Sequence, residues 1–241
     1  MQFTQGWDWV QSTPDRNTGL WDKVTTEVTT DVVIADPLVR TLNITSMSSS
    51  RATGNAVVQA TVVLLNRGES AVAGELTLRI AGSSLVTAVK AIPAGGSAEV
   101  TTDPLSLEAI ELWWPHTHGT PALHDAAFSF ASTGPAQAGP VASLTARVGL
   151  RTVETTVDPV TQGRVFIVNG QRIFLTGGNW ISTDQFQRFS ADSQRYFSEV
   201  KLHQQMGLNL IRSECKPLGI CVIYRPLLTR VWADSLGRGF D

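Results

Sequence analysis

Two carboxylates acting on one bond are the usual machinery of acid–base hydrolysis, and Glu154 and Glu199 are the acids that invite that role here. Their surroundings argue against it. Glu154 ends a strand-like alternating run and Glu199 falls within a helical repeat, so both are expected to be solvated. His116, His118 and His124 bring three imidazoles close together, but in a Gly/Pro-containing loop where only Asp125 stands at ligand spacing. Solvated loop histidines are expected there rather than a metal centre. Cys215 and Cys221 lack a second pair or a nearby histidine, which argues against zinc and against a disulfide scaffold. Asp8 stands between Trp7 and Trp9. A carboxylate that accepts two hydroxyls beside an aromatic face is ordinary sugar recognition; a structural Trp-Asp-Trp turn is the alternative.

Two kinds of periodicity must position these residues, and they meet in residues 146–180. Upstream, apolar and polar residues alternate in short runs broken by Gly, Pro and Ser, the pattern of a half-buried antiparallel sheet. Strands are expected at 57–65, 74–80, 84–92, 98–102, 110–114, 124–131 and 143–153, about seven at the spacing of an immunoglobulin-like sandwich. Trp113 and Trp114 are expected to be interdomain or core aromatics, since Pro115 ends their strand. Residues 133–140 read as a loop. At the seam, Asn169-Gly170 separates Arg164–Val168 from residues 172–176, and both turn residues tolerate positive φ, so a type I′ hairpin is predicted. Downstream, Ser190 can cap a helix over 191–206, with Tyr196, Phe197, Val200 and Met206 near one side and Gly207 as the stop. A strand at 173–176, this helix and a strand at 208–212 form one βαβ unit. A complete eight-fold barrel needs about 250 residues, so none is expected in the residues after Gly163.

Composition narrows the class. The 241 residues are 42% hydrophobic and 17% charged with a net charge of −2, ordinary for a folded domain. That balance gives no electrostatic reason to expect nucleic acid or an anionic membrane as partner. No apolar run reaches the length of about 18 residues that a spanning helix needs. The residues after Met1 have neither a basic n-region nor an apolar h-region, so no secretory signal is expected in them. One acceptor sequon occurs, Asn43-Ile44-Thr45. The compartment stays open. Three tryptophans within the first 21 residues exceed what one hairpin can cover, so residues 1–33 read as the tail of a larger β domain.

Five motifs occur in a fixed order: Gly6-Trp7-Asp8-Trp9, Asp15-Arg16-Asn17-Thr18-Gly19-Leu20-Trp21-Asp22, Glu111-Leu112-Trp113-Trp114-Pro115, Gly149-Leu150-Arg151-Thr152-Val153, and the run from Phe166 through Asn169-Gly170 to Gly177-Gly178-Asn179-Trp180. Together they resemble glycoside hydrolase family 2. The Gly-Gly-Asn-Trp-Ile ending with Asp184 after it is most similar to the mannosylglycoprotein endo-β-mannosidase branch, beside β-mannosidases and exo-β-D-glucosaminidases. The resemblance implies a mainly β chain truncated at both ends. Its parts are a jelly-roll remnant over 1–33, an immunoglobulin-like β-sandwich over 34–154, the start of a (β/α)8 TIM barrel over 155–212, and a divergent tail over 213–241.

The same resemblance implies a retaining β-glycosidase without a cofactor, acting on β-mannosidic carbohydrate, with an exo-β-D-glucosaminidase as the nearest alternative. It also implies that Asp8, Trp9, Asn179, Trp180 and Asp184 touch sugar, whereas Asp15 and Arg16 are expected to form a domain contact. The family's acid/base follows an Asn on barrel strand four. No Asn-Glu dipeptide occurs in this chain, so neither catalytic Glu is expected within it and the chain alone is expected to be inactive. A non-catalytic carbohydrate-binding or interaction module remains the competing reading. After Leu210-Ile211-Arg212 the family continues with an aromatic and a run of glycines; here Ser213-Glu214-Cys215-Lys216-Pro217 follows.

Overall fold

The computed structural model describes residues 28–133, 141–180 and 193–213, with Val24 and Thr26. The chain divides into two compact units. One comprises residues 27–114 and 119–173; the other comprises 1–26, 115–118 and 174–241.

The first unit holds a two-sheet antiparallel sandwich. One sheet has β1 (Val32–Met47) beside β2 (Thr53–Asn66). Across β2 lie β5 (Ser97–Thr101) on its C-terminal half and β6 (Leu105–Glu111) on its N-terminal half. The other sheet runs in the order β4 (Ser83–Ile92), β3 (Val72–Ile80), β7 (His124–Ser132), β8 (Ala142–Val148). Buried and half-buried residues alternate along the whole of β2. Its inward set Val58, Ala60, Val62 and Leu64 has no exposed surface, nor do Leu76 and Leu78 of β3, while Phe128 and Phe130 of β7 are buried. Each such side chain contributes about 1.5–3 kcal/mol by leaving water. This sandwich is the immunoglobulin-like arrangement expected from the strand spacing.

Several elements differ from the expected ones. The strand expected at 110–114 is instead β6, which ends at Glu111. Leu112, Trp113, Trp114 and Pro115 are buried in succession, which a half-exposed strand cannot achieve. Their amides leave the ladder: Leu112 donates to Ala52, Trp113 to Leu150 and Trp114 to Thr120. The run expected over 143–153 splits, because β8 stops at Val148 and β9 (Val153–Val157) starts a new sheet with β10 (Arg164–Val168) and β11 (Gln171–Ile173). That three-stranded sheet also belongs to the first unit, whose last residue is Ile173. β1 had no strand signal of its own. Asp36-Pro37 interrupts its apolar run, Asp36 has φ 48°, and three register breaks mark bulges along it.

The turn at Asn169-Gly170 forms as expected, with φ of 48° and 73°.

In the second unit, β12 (Gly177–Trp180) and β13 (Leu210–Ser213) pair in parallel, and α1 (Ser193–Gln205) lies between them in sequence. The βαβ unit is present, but its first strand starts at Gly177 rather than Ile173. α1 ends in a Schellman motif: Leu208 donates to the His203 carbonyl and Gly207 to that of Gln204, with Gly207 at φ 75°. Val200 is buried, whereas Phe197 is 38% and Met206 71% exposed. Of Phe197, Val200 and Met206, expected near one side of the helix, Val200 is therefore the one buried. Ser190 and the tail 214–241 lie outside the described residues, as do residues 1–23.

Candidate functional site

β12 and β13 are held in register from their N-terminal ends. Asn209, immediately before β13, is 5% exposed. Its Oδ1 accepts the amide of Thr176 at 2.8 Å, and its Nδ2 donates to the Phe174 carbonyl at 2.9 Å and to Thr117 Oγ1 at 3.2 Å. The Asn209 amide in turn donates to the Thr176 carbonyl at 2.9 Å. These bonds occupy the backbone of residues 174–176, which explains why the strand begins only at Gly177. His116 Nε2 bonds the Leu208 carbonyl at 2.8 Å and thereby tethers the 115–118 segment in the same unit.

Gly177 is required by proximity. A Cβ there would lie 2.0 Å from the Leu210 carbonyl oxygen, closer than any side chain can come. With Gly177 opposite Leu210, the register sets Asn179 beside Arg212 and Trp180 beside Ser213. Asn179 and Trp180 therefore stand at the C-terminal end of a parallel strand, the end from which barrel enzymes build their sites. No motif in the sequence marks Asn209, whose one signal is its place just ahead of the short apolar run that forms β13. Asp8, Trp9 and Asp184 lie outside the described residues, and of the candidate residues Asn179 and Trp180 have a described place in the backbone register.

The acids and imidazoles noted in the sequence have local roles. Glu154 is exposed within β9, away from the end of any sandwich strand, and Glu199 lies inside α1, where its carbonyl bonds His203 Nδ1 at 2.8 Å. His124 bonds the Glu111 carbonyl at 2.8 Å, and His118 pairs with Thr117. Trp113 is fully buried and Trp114 2% exposed, the latter donating its indole N–H to the Arg51 carbonyl at 2.9 Å. Both are core aromatics.

No family model matches the chain. Among curated proteins, the mannosylglycoprotein endo-β-mannosidase of Lilium longiflorum is 34% identical over 88% of this chain and 22% of its own length. The β-mannosidase B of Aspergillus clavatus is 28% identical over 84% of the chain and 22% of its length. The exo-β-D-glucosaminidase of Streptomyces avermitilis is 28% identical over 88% of the chain and 23% of its length. The chain thus spans about a fifth of the length of these relatives. Among solved structures, the exo-chitosanase CsxA of Amycolatopsis orientalis aligns with a TM-score of 0.63 at 21% identity, covering 79% of this chain and 21% of that one. That likeness is one of fold.

Proposed function

This chain is homologous to the family 2 glycoside hydrolases, of which it spans about a fifth, and from that premise we propose that it belongs to a retaining β-glycosidase cleaving β-mannosidic bonds. In that chemistry one carboxyl protonates the leaving oxygen while a second, about 5–5.5 Å away, attacks the anomeric carbon. The first carboxyl then deprotonates the water that releases the sugar. These 241 residues supply the scaffold and part of the sugar-contacting wall, and other parts of the protein supply both catalytic carboxylates.

One observation carries the reading. A parallel β12–β13 pair, fixed by Asn209 and permitted by Gly177, ends in Asn179 and Trp180, which supports a sugar-contacting role because barrel enzymes build their sites at the C-terminal ends of parallel strands. The residue types suit that role, since an indole stacks on a sugar ring and an amide both donates to and accepts from hydroxyls. Asp8, Trp9 and Asp184 complete the contacts in this proposal, with Asp8 accepting two hydroxyls. The mannoside preference is supported by the lily relative, and glucosaminide is the alternative aglycone-bearing sugar.

Two assays test it. The purified chain should release no chromophore from a β-mannoside, and turnover by it would overturn the assignment of catalysis to other residues. Calorimetry with mannosides and chitosan oligomers addresses the sugar wall, with weak binding expected and weaker binding in Asn179→Ala and Asp8→Ala. A second reading, a non-catalytic sugar-binding module, draws on the sandwich having a core of its own. It expects the same binding without hydrolysis by the full-length protein.

A further inference from the structure

We propose that Asn43 is an N-linked glycosylation site whose glycan covers the free edge of β1. Asn43-Ile44-Thr45 is the only Asn-x-Ser/Thr triplet in the 241 residues, and its middle residue is not proline, as acceptor chemistry requires. The inference does not depend on the glycosidase reading.

The fold places the triplet where a glycan can stand. Asn43 pairs with Val57, and Val57 lies between the buried Ala56 and Val58 on β2. Directly opposed residues share a face, so Asn43 is on the outer side of the sheet, and it is exposed. Register breaks fall between Thr41 and Asn43 and between Ile44 and Ser46. The acceptor is therefore flanked by bulges, which bend a strand and re-aim its side chains. Thr45 is exposed too, and its hydroxyl makes only a long 3.3 Å bond to the Asn55 carbonyl.

The edge itself gives the glycan a purpose. Among the described residues β1 pairs with β2 alone, so one row of its backbone N–H and C=O groups has no ladder partner. Such an edge templates pairing with another chain unless charge, proline, bulges or a cover blunt it. Leu38, Leu42 and Met47 on this strand are 44%, 47% and 39% exposed, which adds apolar attraction to the free hydrogen-bonding groups. Pro37, Arg40 and the bulges protect part of the strand. A branched sugar at Asn43 sits between Leu42 and Met47 and protects the rest.

The transfer balances with one co-reactant, a lipid-pyrophosphate-linked oligosaccharide. The Asn43 amide nitrogen attacks the anomeric carbon, a C–N bond forms, and the C–O bond to pyrophosphate breaks. The amide loses one proton, and the lipid pyrophosphate leaves with the bond's electron pair.

The test is expression of the whole chain behind a cleavable secretory leader in eukaryotic cells, followed by peptide-N-glycosidase and intact-mass and peptide analysis. The secreted chain is expected to lose the mass of one glycan, with the acceptor asparagine converted to aspartate. Asn43→Gln and Thr45→Ala should be secreted bare, and Thr45→Ser should retain the glycan and control for folding. A folded, secreted wild-type chain with no glycan, or a glycan persisting in Asn43→Gln, would overturn the acceptor assignment. Light scattering tests the shielding: Asn43→Gln should self-associate at a lower concentration than the glycosylated chain. Equal association would overturn the shielding role.

Discussion

The guanidinium of Arg151 lies 4.6 Å from the centroid of the Trp113 ring. The ring has no exposed surface, and the backbone passes beside it at Gly149, where a Cβ would stand 2.6 Å from Cδ1 and 2.7 Å from Cγ. Arg151 also donates from Nη1 to the Gly149 carbonyl at 3.0 Å. One short segment between β8 and β9 thus closes over the indole from two sides.

That closure makes Gly149 intolerant of any side chain. Gly149→Ala should lower stability by about 1–3 kcal/mol through overpacking. Arg151 is half-buried, and Arg151→Ala should cost about 0.5–1 kcal/mol from loss of the cation–π contact. Urea unfolding of the two variants against the parent chain checks both, and an unchanged midpoint for Gly149→Ala would contradict the packing described.

Asn169 holds the β10–β11 turn to the rest of its unit. It is 2% exposed, its Nδ2 donates to the Trp113 carbonyl at 3.0 Å, and its Oδ1 accepts the Thr152 amide at 3.0 Å. Asn169→Gly keeps the positive φ and removes both bonds. It should therefore cost about 1–3 kcal/mol, the penalty of leaving buried partners unpaired, rather than the few tenths expected if only turn conformation mattered. Thermal or urea unfolding separates these magnitudes.

Asn209→Leu should leave the Thr176 amide and the Phe174 carbonyl without their side-chain partner. The expected loss is about 1–3 kcal/mol, local to the strand pair. Hydrogen exchange at Thr176 and Leu210 should accelerate while the amides of β2 and β3 keep their protection. Uniform acceleration would mean that the clamp acts on the whole chain.

Asp158 is held below the ordinary aspartate value of 3.8, chiefly by the Thr161 amide and then by the Val160 amide, both donating to its carboxylate. A carboxyl whose folded value is depressed contributes above its unfolded value and loses that contribution as pH falls through the folded value. Loop order at 158–163 should therefore be complete above pH 3.8 and fade below it. An NMR titration of the carboxyl with the Val160 and Thr161 amides tests this. Asp158→Asn should abolish the pH response while keeping an acceptor at the turn.

Much of the architecture could be read without coordinates wherever the physics is local. Alternation over 57–65 and 74–80 implied β2 and β3, because only a half-buried strand buries every second side chain. Asn169-Gly170 implied a type I′ turn because both residues accept positive φ, and both adopt it. Gly207 marked the end of α1 for the same reason. β1 was missed because its bulges and Asp36-Pro37 erase the period of two on which strand recognition depends. Periodicity placed Phe197, Val200 and Met206 near one side of α1 but says nothing about whether a partner covers them, and only Val200 is buried.

The sequence by itself determined the elements with an unbroken period or a defined turn, such as β2, β3, the Asn169-Gly170 turn and the stop of α1, since propensity, turn chemistry and periodicity act between residues a few positions apart. Only the tertiary structure decided that Asn169 bonds Trp113, that Gly149 yields space to an indole, and that Asn209 sets where β12 begins. Each of these joins groups more than 30 residues apart in the chain. Their distance in space is set by how whole layers pack, which no local pattern records.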